Sequence, residues 1–163
     1  MKSFQIKDIA QIGMMLATIE VAKNALAFLP NVEMVTLLFI LYTLTFGRKV
    51  LFVVPAFILL EGTIYGFGLW WVMYLYAWPL LVLLTWLFRK QENVLFWSVF
   101  SGAFGLMFGA LCSIPYYIGG GMAAGLAWWI AGIPYDILHC VANFTICLIL
   151  FVPLKRILNK LNR

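Results

Sequence analysis

Long apolar runs alternate with short polar or glycine-containing breaks along the whole chain. The first run extends from about Ile9 to Leu29 and stops at Pro30-Asn31, a pair that favours a turn. The second covers about Val32 to Phe46 and stops at Gly47-Arg48-Lys49. The third covers Val50 to Tyr65 and stops at Gly66-Phe67-Gly68. The fourth runs from Leu69 to Phe88 and stops at Arg89-Lys90. The fifth runs from Val94 to Ile118 and meets the glycine run Gly119-Gly120-Gly121. Met122 to Ile133 reads as a long connection with a short helix. The sixth run covers Pro134 to Leu158, and a basic tail follows. A helix crosses a bilayer with about 20 mostly apolar residues. The pattern predicts an all-α integral membrane protein, residues 1–163 forming one membrane domain of six helices.

Composition supports that reading. Of 163 residues, 65% are hydrophobic and only 10% are charged. Soluble domains carry about 25% charged residues. Mean hydropathy is +1.02, which excludes an ordinary water-soluble enzyme and a disordered chain. Six helices use about 120 residues, leaving short loops and no extramembrane domain. No phosphate-binding GxxxxGK[ST] loop is present, so the chain is not expected to hydrolyse ATP by itself. The first apolar run lacks a small-x-small cleavage site and reads as a retained helix, not a signal peptide. Cys112, Cys140 and Cys147 lie in apolar segments without metal-type spacing and read as buried thiols.

The formal charge of +5 matters through its placement. With the N-terminus in the cytoplasm, the cytoplasmic segments hold Lys2, Lys7, Arg48, Lys49, Arg89, Lys90, Lys155, Arg156, Lys160 and Arg163. That is 10 of 11 basic residues, Lys23 being the exception. The positive-inside bias therefore predicts cytoplasmic N- and C-termini. Basic pairs at membrane boundaries also exclude a nucleic-acid-binding face.

In that orientation the costly polar groups converge on the outer half. Glu20, Lys23 and Asn24 lie late in the first span, Glu33 opens the second and Glu61 is in the outer third of the third. Asp136, His139 and Asn143 lie in the outer half of the sixth. Glu20 and Lys23 are spaced to pair on one helix. Asp136, His139 and Asn143 share one helical face. Packing glue between helices is one reading, and a pocket open to the exterior is the other. A metal site at Asp136 and His139 lacks a second histidine or cysteine at fixed spacing, so no metal is expected.

Aromatics crowd the same side, from Tyr65, Trp70, Trp71, Tyr74 and Trp78 to Tyr116, Trp128, Trp129 and Tyr135. An interfacial belt explains part of this. The inner side has far fewer, Trp86 and Trp97 being its only tryptophans, and the asymmetry favours aromatic walls for an organic ligand. Ser101, Gly105, Gly109 and Ser113 recur every four residues, a small-xxx-small face for close packing in lipid. Gly62 and Gly66 repeat it on the third span, and Gly13 and Ala17 on the first.

These features, with the stretches Leu29-Pro30-Asn31-Val32-Glu33, Tyr65-Gly66-Phe67-Gly68-Leu69-Trp70-Trp71 and Gly132-Ile133-Pro134-Tyr135-Asp136-Ile137-Leu138-His139, resemble the substrate-binding S-component of energy-coupling factor transporters. The resemblance covers essentially the whole chain. It implies an S-component-like bundle in a bacterial plasma membrane that captures a vitamin or related micronutrient from outside. A transmembrane coupling protein and two cytoplasmic ATPases would power uptake, and the chain itself would be no enzyme and hold no cofactor. The coupling protein would dock at Gly13 and Ala17, glycine standing where the family more often has alanine. Carried over, ligand contacts fall on Trp70, Trp71, Tyr74, Trp78, Trp128, Trp129, Asp136, His139 and Asn143, with Glu33 and Glu61 as further candidates. The loop from Gly119 to Gly132 would act as a lid. The early histidine of metal-transporting relatives is missing, which argues against cobalt and nickel. The quoted stretches are nearest to members linked with cobalamin-type ligands. Riboflavin, folate, pantothenate and thiamine precursors stay open.

Two other classes compete. A membrane-embedded enzyme acting on a lipid or isoprenoid would use His139 as base and Asp136 as its orienter, but no second catalytic constellation accompanies them. A structural or assembly membrane protein would use every polar group for packing.

Overall fold

The computed structural model describes residues 5–162. Lys2 and Arg163, counted above among the cytoplasmic basic residues, lie outside the described residues. Regular structure among the described residues is entirely helical. It comprises α1 (Ile6–Ala25), α2 (Val35–Phe46), a 3-10 turn (Gly47–Lys49), α3 (Val50–Tyr65), α4 (Leu69–Leu87), α5 (Val94–Cys112) and α6 (Ile114–Leu161).

Four stretches among the described residues are long and apolar enough to cross a membrane: Val35–Tyr65, Leu69–Leu87, Val94–Cys112 and Ile114–Leu161. α1 is not among them, because Lys7, Asp8, Glu20 and Lys23 interrupt its apolar character. The Val35–Tyr65 stretch contains a reversal. Gly47 ends α2 with φ +57°, a conformation that favours glycine. Just beyond it, Lys49 pairs with Asp8 at 2.6 Å and donates to Gln11 near the start of α1. Late in α3, Glu61 pairs with Lys23, late in α1. Asp8 and Lys23 are about 22 Å apart along α1 at about 1.5 Å per residue. α3 therefore runs parallel to α1, and α2 runs against both.

Side-chain contacts tie the remaining ends together. Gln11 donates to the Leu161 carbonyl at 3.3 Å, and Asn162 donates to the Thr45 carbonyl at 2.8 Å. The Trp97 indole donates to Gln91 in the α4–α5 turn and stacks on Phe151 of α6. Lys7, Arg48, Lys49, Arg89, Lys90, Lys155, Arg156 and Lys160 thus gather at one end, here called the basic end. Lys23, Glu33, Glu61, Asp136 and His139 lie toward the other.

α2 occupies the centre. Every residue from Val35 to Thr43 is buried, as expected for a helix apolar on all sides. Trp78 of α4 packs against Phe39, Phe57, Phe104 and Phe108 from three neighbouring helices. α5 and α6 form the most extensive helix pair. Their seam is built from glycine, as the small-residue repeat predicts. A Cβ at Gly105 would lie 2.9 Å from the His139 carbonyl oxygen, and one at Gly102 would lie 3.1 Å from that of Cys140. Ser101 and Ser113 of the same repeat are buried.

Two boundaries differ from the sequence expectation. α1 ends at Ala25 rather than Leu29, and residues 26–34 form a turn-rich connection in which Asn31 takes φ +56°. The fifth span ends at Cys112 instead of Ile118. Pro115 has no N–H for the Leu111 carbonyl four residues earlier, and the Tyr76 hydroxyl donates to that carbonyl instead, at 2.8 Å. The expected loop and lid from Gly119 to Gly132 is also helical. Only Gly121, at φ +76° and ψ −176°, breaks it. The short arm before Gly121 folds back on the helix after it: Tyr116 stacks on Trp128 at 4.8 Å, and Tyr117 fills the space beside Gly125. One glycine suffices for the reversal because the alanines and tryptophans beyond it favour helix over loop.

The seam gives a direct test. Gly105→Val is expected to lower stability by about 1–3 kcal/mol through overpacking. Gly13→Val, where a Cβ meets nothing within 4 Å, is expected to be near neutral in the same detergent melt. An equal loss at both positions would contradict a glycine-dependent α5–α6 contact.

Candidate functional site

The end opposite the basic residues holds two polar clusters and two adjoining cavities. The first cluster starts at Glu33, just ahead of α2. Its carboxylate accepts the Thr36 backbone N–H at 2.9 Å and the Thr36 hydroxyl at 2.5 Å. It thereby satisfies a free donor at the helix start, a capping role that also suits the helix dipole. His139 Nε2 lies 3.2 Å from the same carboxylate, and Asn143 donates to the Thr36 hydroxyl at 3.2 Å. Glu33, Thr36, His139 and Asn143 form one chain joining α2 to α6. In a neutral His139 ring, Nε2–H donation to Glu33 leaves a lone pair on Nδ1.

One turn away on α6, Asp136 meets α5. Its Oδ1 accepts the Gly109 backbone N–H at 3.0 Å. A Cβ at Gly109 would come within 2.1 Å of this carboxylate, so glycine is required there. Spacing alone placed Asp136, His139 and Asn143 on one face, and all three are buried.

The second cluster lies between α1 and α3. Lys23 pairs with Glu61, whereas its i,i+3 spacing on one helix suggested Glu20. Glu61 is the buried carboxylate, 1% exposed, and its ion pair joins two helices. Lys23 also sits 4.2 Å from the Tyr65 ring centroid, and the Tyr65 hydroxyl donates to Asn24.

A cavity of about 290 Å³ lies between these clusters, bordered by Lys23, the 26–33 connection, Tyr74, Trp78, Phe108, Glu33 and His139. A second, about 390 Å³, is bordered by Gly109, Cys112, Trp128, Gly132, Tyr135 and Asp136. Asn31 and Phe108 line both. Asn31 also donates to the Tyr135 carbonyl at 3.0 Å, tying the α1–α2 connection to α6. Three residues that line these cavities each carry a buried polar atom without a hydrogen-bond partner among the described residues: Trp78 Nε1, Asp136 Oδ2 and His139 Nδ1. Buried polar groups are rarely left so, and each such atom calls for an explanation.

The expected site residues divide accordingly. Glu33, Tyr74, Trp78, Trp128, Asp136 and His139 line the cavities. Asn143 lies behind the wall and holds Thr36. Glu61 orients Lys23. Trp71 donates to the Ile58 carbonyl at 2.8 Å and packs on Phe67, away from both cavities. Trp70 packs edge-on against Tyr74, and Trp129 lies at the surface. Neither borders a cavity. Sequence reasoning missed Asn31, Thr36 and Phe108 as wall or support residues. Thr36 carried no capping signal, since the order Glu33-x-x-Thr36 is the reverse of a capping box. Phe108 carried none, because it is one phenylalanine of 14. Gly13 and Ala17 are exposed on α1.

No protein-family model, curated protein or solved structure matches the chain.

The Lys23–Glu61 pair yields a stability prediction. Lys23→Met leaves a buried carboxylate without its partner and is expected to cost about 3–5 kcal/mol. Adding Glu61→Leu is expected to restore most of the apparent melting temperature. A double variant no more stable than Lys23→Met would show that the two residues act independently.

Proposed function

We propose that the chain is the high-affinity substrate-capture subunit of an energy-coupling-factor-type importer, binding a vitamin or related micronutrient at the cavity end. The observation that carries this reading is that three residues lining two adjoining aromatic-walled cavities carry unpartnered buried polar atoms, Trp78 Nε1, Asp136 Oδ2 and His139 Nδ1. Concave sites with apolar walls and a few placed polar groups are the usual form of small-molecule sites.

The orientation proposed is six spans, α2 and α3 counting as two, with both termini in the cytoplasm of a bacterial cell. The clustering of basic residues at one end supports it. The cavities then face outward. α1 completes the bundle although it carries charge. Asp8 meets Lys49 at the basic end, and Lys23 meets Glu61 at the other, so two of its charged groups are paired. The exposed face of α1 with Gly13 and Ala17 is the proposed dock for a transmembrane coupling protein, and two cytoplasmic ATPases complete the importer. Small residues there allow close backbone approach. The chain performs no chemistry of its own in this scheme.

A membrane enzyme fits less well. His139 Nε2 is committed to Glu33, and Asp136 is held by Gly109 rather than by His139. The pairing of His139 with Asp136 is therefore not formed, and Glu33 takes the orienting position instead. A purely structural role gives no reason for three of the eight unpartnered buried atoms among the described residues to belong to cavity-lining residues.

Mass spectrometry of small molecules released from the detergent-purified chain tests capture directly. A stoichiometric vitamin or precursor is the expected result, and lipid alone would count against it. Gly13→Trp or Ala17→Trp is expected to abolish ATP-driven uptake in cells while ligand affinity stays within about twofold of the unaltered chain, the docking surface being separate from the cavities. Parallel loss of uptake and binding would remove the docking role.

A further inference from the structure

We infer that the captured ligand is a small organic cation with N–H donors, seated with its charged nitrogen against Asp136 and its body between Phe108 and Trp128. This rests on the capture reading and specifies the chemistry of that same site.

The charge balance at this end comes first. Four of the six acidic residues, Glu20, Glu33, Glu61 and Asp136, lie here, and Lys23 is the one basic residue among the described residues on this side. Lys23 is already paired with Glu61. An anionic ligand would meet uncompensated carboxylates at short range in surroundings of low polarity, where like-charge repulsion is strong. A cation would be attracted.

Local geometry agrees. Asp136 is 5% exposed and lines the larger cavity. One carboxylate oxygen is fixed by Gly109, and Oδ2 has no partner among the described residues. His139, one turn on, is also 5% exposed, and its Nδ1 is unpartnered. With Nε2–H committed to Glu33, Nδ1 of the neutral ring is an acceptor. Two buried acceptors on successive turns of α6 therefore call for donors on the ligand. The cavity beside Asp136 is walled by Phe108, Trp128 and Tyr135. Aromatic faces beside a carboxylate recognise nitrogen cations through cation–π attraction together with a charge-assisted hydrogen bond. The Trp78 indole N–H, unpartnered on the neighbouring cavity, suits a ligand that also carries an acceptor at its far end.

The site size narrows the class. A cavity of about 390 Å³ joined to one of about 290 Å³ matches a ligand of one or two rings. A corrinoid, suggested by the sequence resemblance, is too large for either cavity as it stands.

The test is isothermal titration of the full chain in lipid nanodiscs with a matched panel. Pyridoxamine and tryptamine serve as cations whose charged nitrogen carries N–H groups, pantothenate and biotin as anions, riboflavin as a neutral ring system and cyanocobalamin as the corrinoid. The expected result is binding of a cation, weakened by about 10- to 100-fold in Asp136→Asn, as expected for a lost charge-assisted hydrogen bond. Asp136→Asn keeps the side-chain shape and an oxygen for Gly109. Trp128→Leu is a second variant, expected to weaken the cation by about fivefold. Failure of both cations to bind, or unchanged cation affinity in Asp136→Asn, overturns the inference. Binding of an anion, riboflavin or cyanocobalamin in place of the cations would overturn it while leaving the capture reading intact. No binding by any member of the panel, together with release of lipid alone from the purified chain, would remove both.

Discussion

The approach of α5 to α6 sets the geometry of the cavity end. Gly102, Gly105 and Gly109 bring the α5 backbone close enough to touch α6 main chain and the Asp136 carboxylate. In lipid, no hydrophobic force distinguishes a helix neighbour from an acyl chain, so close packing and polar contacts must hold helices together. Glycine permits both here. The close approach lets the Gly109 N–H reach Asp136, and the helical face that carries Asp136 also turns His139 toward Glu33. A larger residue at Gly109 would displace the carboxylate and, through α6, the His139–Glu33–Thr36 chain.

A second constraint is the cost of charge in a bilayer. Each charged residue of α1 with a partner in the structure finds it on α3 or at the turn leading into it. Asp8 pairs with Lys49, and Lys23 pairs with Glu61. These two pairs, about 22 Å apart along α1, fix the register of α1 against α3. The pairing also holds Lys23 at the edge of the smaller cavity. The same contact therefore serves assembly and the electrostatics of the site. Buried ion pairs add little net stability but penalise any register that breaks them.

How much was legible in the sequence follows from the range of each interaction. α3 begins and ends where the hydrophobic run does, at Val50 and Tyr65, because Gly47 and Gly66 mark its borders locally. The polar face of α6 was legible because i, i+3 and i+7 spacing needs only one helix. The partner of Lys23 was not, since the choice between Glu20 and Glu61 depends on where α3 packs. The stretch Gly119–Gly132 reads as loop by its glycines, yet only Gly121 leaves helical geometry. Tyr117 against Gly125, a contact between two arms of a hairpin, decides the rest. Trp71 and Trp78 look alike in the sequence. A contact with the Ile58 carbonyl sends one to helix packing, and contacts with four phenylalanines make the other a cavity wall.

The two cavities meet at residues from different parts of the chain. Asn31 comes from the α1–α2 connection and Phe108 from α5. Asn31 stands in a left-handed conformation that asparagine tolerates better than most residues. Its side chain holds the Tyr135 carbonyl, beside Asp136. The connection carrying it has no regular helix, whereas Phe108 sits on the tightest helix pair in the fold. The border shared by the cavities thus has one rigid side and one side held by turns and a single hydrogen bond to α6. Movement of Asn31 requires only that bond and the local turns to yield, while the Asp136–Gly109 contact stays in place.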